Sequence, residues 1–263
     1  NIGLGQGGDT FTIAGTYADT TTLHTNAGAD TVNVQAVGSD SKPRATTLHT
    51  GSDDDTINVG SLAPATGGDL NGIQALLTVN GNGDNDTLNV DDTGDIDANT
   101  GVLTATTLTG LGMTSGITYG TLEELHIGLG QGRDTFTIAG TQADTTTLNT
   151  NDGEDTVNVR SISSATTLHT GRHRDTIHVG SLAPATGGDL NGIQALLTIN
   201  GNGYNDTLNV DDTSDTDANS GLLTATTLTG LGMTAGISYE SLEHLNIGLG
   251  QGGDTFTIAG TYA

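Results

Sequence analysis

The aspartates of this 263-residue chain recur in a context that could bind a hard cation. Each stands at the head of a five-residue word, Asp-Thr-apolar-polar-apolar, first seen as DTFTI at 9–13 and DTVNV at 30–34. A turn rich in Gly, Asn and Asp precedes each word, as in GQGGD and GSDDD. Carboxylate and carbonyl oxygens are the ligands that Ca²⁺ prefers. The leading aspartates are Asp9, Asp30, Asp55, Asp86, Asp134, Asp155, Asp175, Asp206 and Asp254.

The words themselves predict β-strands, because apolar residues alternate with polar ones and many are β-branched. A second strand such as TTLHT (21–25) precedes each turn, and the leading aspartates lie 21, 25, 31 and 48 residues apart in the first copy. Strand, turn, strand and return every 20–31 residues predict a right-handed parallel β-solenoid, in which stacked coils bury one another's apolar face. The 48-residue gap is expected to hide another coil, since ATTLTG (105–110) matches the strand ATTLHT (45–50). At about 4.8 Å per coil, ten to twelve coils would make a rod about 50 Å long.

Long internal repeats organise the chain. IGLGQG occurs at 2–7, 127–132 and 247–252, and residues 246–263 repeat residues 1–18 without a change. We therefore expect one continuous solenoid over 1–263, with copies at 1–125 and 126–245 and the start of a third at 246–263. Ends that share one sequence also predict a longer tandem array, in which the partner of each unit is its own continuation.

The two copies differ mainly where side chains should face outward. The predicted inward positions keep their character: Phe11/Phe136/Phe256, Ile13/Ile138/Ile258, Val32/Val157, Val34/Val159, Ile57/Ile177 and Leu88/Leu208. The turn GSDDD (51–55), in contrast, becomes GRHRD (171–175). Each Lys or Arg has a non-basic or missing counterpart in the other copy. This drift is typical of a scaffold, and we expect no catalysis.

One turn carries a family resemblance. LGQGGDTFT (4–12) resembles the nonapeptide of hemolysin-type calcium-binding (RTX) repeats, G-G-x-G-x-D-x-apolar-x, and the longer phrases look like those of large bacterial Gly/Thr-rich repeat proteins. The resemblance implies Ca²⁺ held between coils, with the position-six aspartate at Asp9, Asp134 and Asp254. It extends more loosely to Asp30, Asp55, Asp86, Asp155 and Asp206.

The chain departs from that family at several points. Leu4 replaces the first Gly, and the motif comes once per coil instead of every nine residues. At 171–175, Arg172 and Arg174 would supply positive charge to Asp175 in place of a metal. The alternative for all these aspartates is structural, because an Asp before a strand also accepts backbone N–H bonds in its turn.

A second candidate cation site is DIDANTG (95–101), repeated as DTDANSG (215–221). The spacing Asp-x-Asp-x-Asn resembles the opening of EF-hand-type calcium loops. The residues concerned are Asp95, Asp97, Asn99, Asp215, Asp217 and Asn219. Asp91, Asp92, Asp211 and Asp212 flank these loops and are candidate additional ligands. An exposed acidic loop without metal is the alternative.

Three further features are outward ladders and sequons. His24 and His49 occupy equivalent positions on neighbouring coils and should stack, whereas Asn149 replaces His in the second copy. An amide ladder that stiffens the stack is expected from Asn33, Asn58, Asn89, Asn158 and Asn209. Asn85 and Asn205 begin sequons and are candidate glycosylation acceptors.

Composition excludes several classes of protein. With 31 Asp+Glu against 6 Lys+Arg, the chain lacks the basic surface that nucleic-acid binding needs. The longest apolar runs fall far short of 18 residues, so no transmembrane helix and no membrane insertion are expected. The absence of Cys excludes a disulfide scaffold. High acidity with 49 Thr and 41 Gly fits a secreted or cell-surface bacterial protein.

The sequence thus predicts a non-catalytic extracellular structural rod or fibre segment, stabilised by Ca²⁺. The first alternative is the spacer of a calcium-dependent adhesin that contacts surface glycans. A carbohydrate-active β-helix enzyme is the second alternative. An ice-binding solenoid is the third, because Thr-x-Thr recurs at 10–12, 135–137 and 255–257.

Overall fold

A computed structural model describes residues 1–38 and 44–261, and every regular element in that part is a β-strand. β-Branched residues favour the strands, and clusters of Gly, Asn and Asp separate them. The first copy holds β1 (Ile2–Gly3), β2 (Thr10–Ile13), β3 (Thr20–His24), β4 (Thr31–Val34), β5 (Ala45–Gly51), β6 (Thr56–Val59), β7 (Leu77–Asn82), β8 (Thr87–Asp91), β9 (Thr100–Leu103), β10 (Thr107–Gly110) and β11 (Ile117–Gly120). The remainder holds β12 (Glu124–Gly128), β13 (Thr135–Ile138), β14 (Thr145–Asn149), β15 (Thr156–Val159), β16 (Ala165–His169), β17 (Thr176–Val179), β18 (Leu197–Asn200), β19 (Thr207–Asp211), β20 (Ser220–Leu223), β21 (Thr227–Gly230), β22 (Ile237–Glu240), β23 (His244–Gly248) and β24 (Thr255–Ile258).

These strands form two mostly parallel sheets of twelve strands each. The first sheet has the order β1-β3-β5-β7-β11-β10-β9-β13-β15-β17-β19-β23, and the second β2-β4-β6-β8-β12-β14-β16-β18-β22-β21-β20-β24. Outside two meanders the chain changes sheet after every strand, so each pair of strands is one coil. Paired residues of regular coils lie 20 to 31 residues apart, as in Thr145 with Ala165 and Thr56 with Thr87. The predicted parallel β-solenoid is confirmed.

The 48-residue gap contains more than the expected coil. That coil is present as β11 and β12, which pair with β7 and β8. The segment ATTLTG, however, forms the antiparallel strand β10, which lies between β9 and β11 in a three-stranded meander. The expectation of a parallel strand there was wrong. Gly110 and Gly116, at φ 85° and 83°, supply the left-handed backbone of the reversal between β10 and β11. The reversal between β9 and β10 is closed by the N–H of Thr104, which donates to Thr107 O at 2.8 Å.

Within each copy the chain crosses from one sheet to the other an odd number of times. The strands of the Asp-Thr words therefore lie in opposite sheets in successive copies. The strands of the Asp-Thr words lie in the second sheet in copy one (β2, β4, β6, β8) and in the first sheet in copy two (β13, β15, β17, β19). With β24 the word returns to the second sheet. Successive copies are therefore related by a half-turn about the rod axis. Eleven spacings separate β2 from β24, so a full period of two copies rises about 53 Å at about 4.8 Å per strand.

The core lies between the two sheets and runs along the rod. The predicted inward residues Val32, Val34, Ile57 and Leu88 and their second-copy equivalents are at most 1 % exposed. Phe136 is the largest fully buried side chain. Phe11 and Phe256, on the terminal coils, are only partly buried. The inward positions were therefore predicted correctly within the stack, whereas Ile258, on the last coil, is 64 % exposed because no further coil covers it.

Candidate functional site

The leading aspartates stack into a column at one edge of the first copy. Each Oδ1 accepts the backbone N–H of the aspartate one coil earlier. Asp9 N–H donates to Asp30 and Asp30 N–H to Asp55, both at 2.7 Å. The run continues from Asp55 N–H to Asp86 at 3.0 Å and ends with Asp86 N–H on Glu123 Oε2 at 2.8 Å. The carboxyl groups thus join the turns of successive coils.

The second copy repeats the column with the same geometry. It begins at Asn99, whose N–H donates to Asp134 Oδ1 at 2.7 Å, and it ends at Glu243, whose Oε2 accepts Asp206 N–H at 2.7 Å. Bonds of 2.7 Å join Asp134 to Asp155, Asp155 to Asp175, and Asp175 to Asp206. The third copy starts with Asn219 N–H on Asp254 Oδ1 at 2.9 Å. These bonds are what the structural interpretation of the aspartates expects, namely carboxyl groups that accept backbone N–H bonds, and here the N–H groups belong to neighbouring coils.

The turns beside the column need left-handed backbone, which explains their composition. Asn26, Asp53 and Asp84 have φ near 78°, 77° and 73°, a region that Asn and Asp tolerate better than most residues. The turns also stack closely, since a Cβ on Gly51 would lie 1.7 Å from Asn26 O. Gly is therefore required at that position.

The second oxygen of the inner carboxyl groups has no hydrogen-bond partner among the described residues. These buried Oδ2 atoms belong to Asp30, Asp55, Asp86, Asp155, Asp175 and Asp206. Burial raises the pKa of Asp55 and of Asp155 to about 6, that of Asp86 to about 7 and that of Asp175 to about 8. Burial also raises the pKa of Asp134 and of Asp206. Burying an ionised group without a partner costs free energy, so these carboxyls hold protons more readily than free Asp does.

The basic turn at 171–175 does not neutralise its own aspartate. Arg172 Nε lies 3.8 Å from Asp152 Oδ1, and the ring of His173 stacks on Tyr204 with centroids 6.1 Å apart. The pKa of Asp175 is nevertheless raised, first by burial and then by the charges of its neighbours in the column. Arg172 therefore pairs with a different carboxylate from the one expected.

The polar groups of the Asp-x-Asp-x-Asn loops form hydrogen bonds within their own loop. Asp95 is 7 % exposed; its Oδ1 accepts the N–H of Asp97 at 2.8 Å and its Oδ2 the side-chain amide of Asn99 at 3.1 Å. The side chain of Asp97 is exposed. The same bonds, each at 2.8 Å, join Asp215 to Asp217 and to Asn219. Asp95 thus makes an Asx turn, and the side chains of Asp95, Asp97 and Asn99 do not converge on one metal position.

A buried aspartate outside the Asp-Thr words, Asp92, lies beside the same loop. Asp92 is fully buried; its Oδ1 accepts Leu70 N–H at 2.9 Å, and its Oδ2 has no partner among the described residues. Burial raises its pKa to about 7, and the charges of Asp95, Asp134 and Asp69 add to the effect. The second copy repeats the cluster as Asp212 with Asp215, Asp254 and Asp189. The only sequence signal was the doublet Asp-Asp after a strand, kept in both copies.

The two expected ladders are present in the first copy. The rings of His24 and His49 stack with centroids 4.8 Å apart and planes 7° apart. The amide of Asn58 donates to Asn33 Oδ1, and that of Asn89 to Asn58 Oδ1, both at 3.0 Å.

In the second copy His178 replaces the middle Asn, and the buried Oδ1 of Asn158 has no partner among the described residues. Asn209 instead accepts from the amide of Asn246 at 2.9 Å. The five-membered ladder is therefore confirmed only for its first three residues.

Both candidate glycosylation acceptors lie on the surface. Asn85 and Asn205 are exposed, each directly before a buried column aspartate. The N–H of Asn85 donates to Asp54 Oδ1 at 3.0 Å. Their amide side chains therefore stay accessible outside the stack.

The predicted calcium ligands are brought into columns and corners but not into closed clusters. Within 1–38 and 44–261, no three His, Asp or Glu side chains converge closely enough to hold a metal ion. In the columns one carboxyl oxygen is bonded to backbone, whereas Ca²⁺ takes six to eight oxygens. Side chains alone therefore do not form a calcium site among the described residues, and turn carbonyls would have to supply the remaining oxygens.

Comparison with protein-family models and with curated proteins finds no match. Across the described ranges, none of the secondary structure is a helix long and apolar enough to span a membrane. What defines the class of this protein is thus its fold: a two-sheet parallel β-solenoid with an internal tandem repeat.

Proposed function

We propose that this chain is a non-catalytic structural rod, one stretch of a longer tandem array on the surface of, or secreted by, a bacterium. The observation that carries the proposal is the continuity of both sheets from the first strand to the last. A chain whose coils each template the next can extend without a linker. The half-turn between copies supports the proposal, because it keeps the axis straight on average as units are added.

The chemistry of the surface supports a scaffold better than an enzyme. Three of the described cations are engaged in local contacts: Arg44 lies 4.0 Å over the ring of Tyr17, Arg160 Nε donates to Ala183 O at 2.7 Å, and Arg172 approaches Asp152. Lys42 lies outside the described residues. A lyase needs a base and an electrostatic stabiliser at one reacting centre. The alternatives are an adhesin spacer that binds surface glycans, a carbohydrate-active enzyme and an ice-binding solenoid.

Binding and cleavage assays with a panel of acidic and neutral polysaccharides distinguish the adhesin spacer and the carbohydrate-active enzyme from the rod. We expect the purified chain neither to be retained on immobilised polysaccharide nor to shorten any polymer in solution, because each Lys or Arg has a non-basic or missing counterpart in the other copy. A known polysaccharide lyase provides the positive control for cleavage. Retention on one polymer would favour the adhesin, and a fall in polymer length would favour the enzyme; either result contradicts the proposal.

Calcium binding stays a prediction of the RTX-like turns. An ion at the column would have to use the buried Oδ2 atoms together with turn carbonyls, and it would have to displace or share the N–H bonds of Oδ1. The net charge of −25 favours cation uptake in general. A melting experiment decides the matter: if the turns bind calcium, chelator should lower the melting temperature and added Ca²⁺ should restore it, because a metal that binds only the folded form stabilises it.

A further inference from the structure

Two histidines stack on neighbouring coils of the first sheet, outside the aspartate columns. His24 is the last residue of β3 and pairs in register with His49 of β5. Their rings lie 4.8 Å apart with planes 7° apart. His24 is exposed and His49 is partly exposed. Two imidazole groups are therefore presented to solvent side by side at one point of the surface.

The groups around the two rings are polar and leave one nitrogen of His49 available. Asn26, Ser52 and Asn82 line the same open depression as the rings. The side-chain amide of Asn80 on β7 lies 3.4 Å from His49 Nδ1, so Nε2 is the nitrogen left for an external ligand. A metal-bound His usually donates its other N–H to an oxygen, and the amide of Asn80 can turn its oxygen to Nδ1 for that purpose.

We propose that His24 and His49 form a binding site for one divalent transition-metal ion, such as Cu²⁺ or Zn²⁺, with Nε2 of each ring as a ligand. Imidazole nitrogen suits these ions, whereas Ca²⁺ prefers oxygen. The pair supplies two ligands, and the hydroxyl of Ser52 and water complete the coordination. The site is separate from the calcium prediction for the turns, and it does not depend on the rod's biological role.

A small movement of the side chains brings the two nitrogens to one ion. Each metal–nitrogen distance is about 2.0–2.1 Å, so the two Nε2 atoms must come within about 4 Å of each other. The rings stand about one strand spacing apart, and χ2 of His is a broad torsion, so a tilt of each ring closes the gap. The paired strands hold both residues in place, and binding therefore needs no rearrangement of the backbone.

Acidic side chains on the adjoining turns attract a cation to this point. Asp53 follows Ser52 directly, Asp84 lies in the same turn as Asn82, and both aspartates are exposed. Their Oδ2 atoms accept the backbone N–H groups of Gly28 and of Asp53, each at 3.0 Å. These carboxylates thus contribute negative potential, which raises the local concentration of cations.

The second copy provides a natural comparison, because it has only half of the pair. Asn149 and His169 pair there in the positions that His24 and His49 occupy in the first copy. All seven histidines lie within residues 1–38 and 44–261, and no others pair with each other in register. The second copy should therefore lack the site.

The test titrates Cu²⁺ into the wild type, His24→Asn and Asn149→His, each made without a histidine tag. Excess CaCl₂ occupies carboxylate oxygens that would bind Cu²⁺ weakly, and the pH is set where imidazole is neutral. His24→Asn gives the first copy the pair of the second, and Asn149→His does the reverse. Since the chain already contains both pairs, both variants should fold, which melting without metal verifies.

We expect one tightly bound Cu²⁺ per wild-type chain and two per Asn149→His chain. His24→Asn should bind Cu²⁺ at least about tenfold more weakly, because chelation by two linked ligands is lost. Electron paramagnetic resonance of the wild-type complex should show coupling to two nitrogens. Coupling to a single nitrogen, equal affinity of the wild type and His24→Asn, or no second ion in Asn149→His would each overturn the proposal and leave the stacked rings as a surface ladder without a metal.

Discussion

Phe136→Ala should destabilise the chain more than any other single truncation in the core. Phe136 is fully buried in β13, and its ring lies over Gly101 of β9, where a Cβ would come within 2.6 Å of the ring carbon Cδ2. The glycine therefore makes room for the ring, and no neighbour can fill the space that an Ala would leave. Truncations of this kind cost about 3–5 kcal/mol. The free energy of unfolding, measured by urea denaturation, checks the value, and Phe136→Leu should fall between Ala and the wild type.

The chain carries its own control for this substitution. Phe256 sits in the identical word DTFTI and packs over Gly221 in the same way, but it is only partly buried on the terminal coil. Phe256→Ala should therefore cost less than half as much as Phe136→Ala. Equal losses at the two positions would mean that the central coils are no better packed than the terminal coil.

Gly110→Ala should have the second-largest effect, because Gly110 begins the tight reversal between β10 and β11 of the meander. Gly110 has φ 85°, and a Cβ there would lie 1.9 Å from Thr100 O on the neighbouring strand. Left-handed backbone costs an L-residue about 1–2 kcal/mol, and the forced shift of the packed strand adds about 1–3 kcal/mol. We expect a loss of about 2–5 kcal/mol in the free energy of unfolding, measured as above.

Gly120→Ala is the matched control at the far end of the same meander. Nothing lies within 4 Å of a Cβ built on Gly120, and the equivalent residue of the second copy is Glu240. This substitution should change stability by less than about 0.5 kcal/mol, as ordinary surface changes do. If both glycines tolerate Ala equally, the tight reversal at Gly110 is not needed for the fold.

The alternation of apolar and polar residues made the coils predictable, but it did not predict whether a strand pairs parallel or antiparallel. Alternation in words such as DTVNV and TTLHT gives the inward face directly, since side chains alternate across a strand. ATTLTG reads like ATTLHT, yet it becomes the antiparallel β10, because the chain reverses before it at 104–107 and after it between Gly110 and Gly116. The exchange of sheets between copies follows from the odd number of crossings in each copy, which the spacing of the Asp-Thr words alone does not give.

The sequence predicted that the leading aspartates occupy equivalent positions on successive coils, but it did not predict which atoms their carboxyl oxygens contact. The Asp-Thr words place the column aspartates at equivalent points of successive coils, which is a local property of the repeat. Which partner each oxygen finds depends on the next coil, 20 to 31 residues away. Asp92 was predicted only as a residue flanking the loop at 95–99, because its burial arises from a corner formed by Leu70 and that loop, which the Asp-Thr pattern does not show.

The length of engineered arrays tests the central claim most directly. Chains with one, two and four tandem copies of residues 1–245 would be imaged by electron microscopy and measured along their long axis. The solenoid predicts rods of constant width that lengthen by about 53 Å for each added 245-residue unit, because each unit spans eleven strand spacings of about 4.8 Å. Separate beads joined by flexible segments, or particles that grow in width instead of length, would contradict the account.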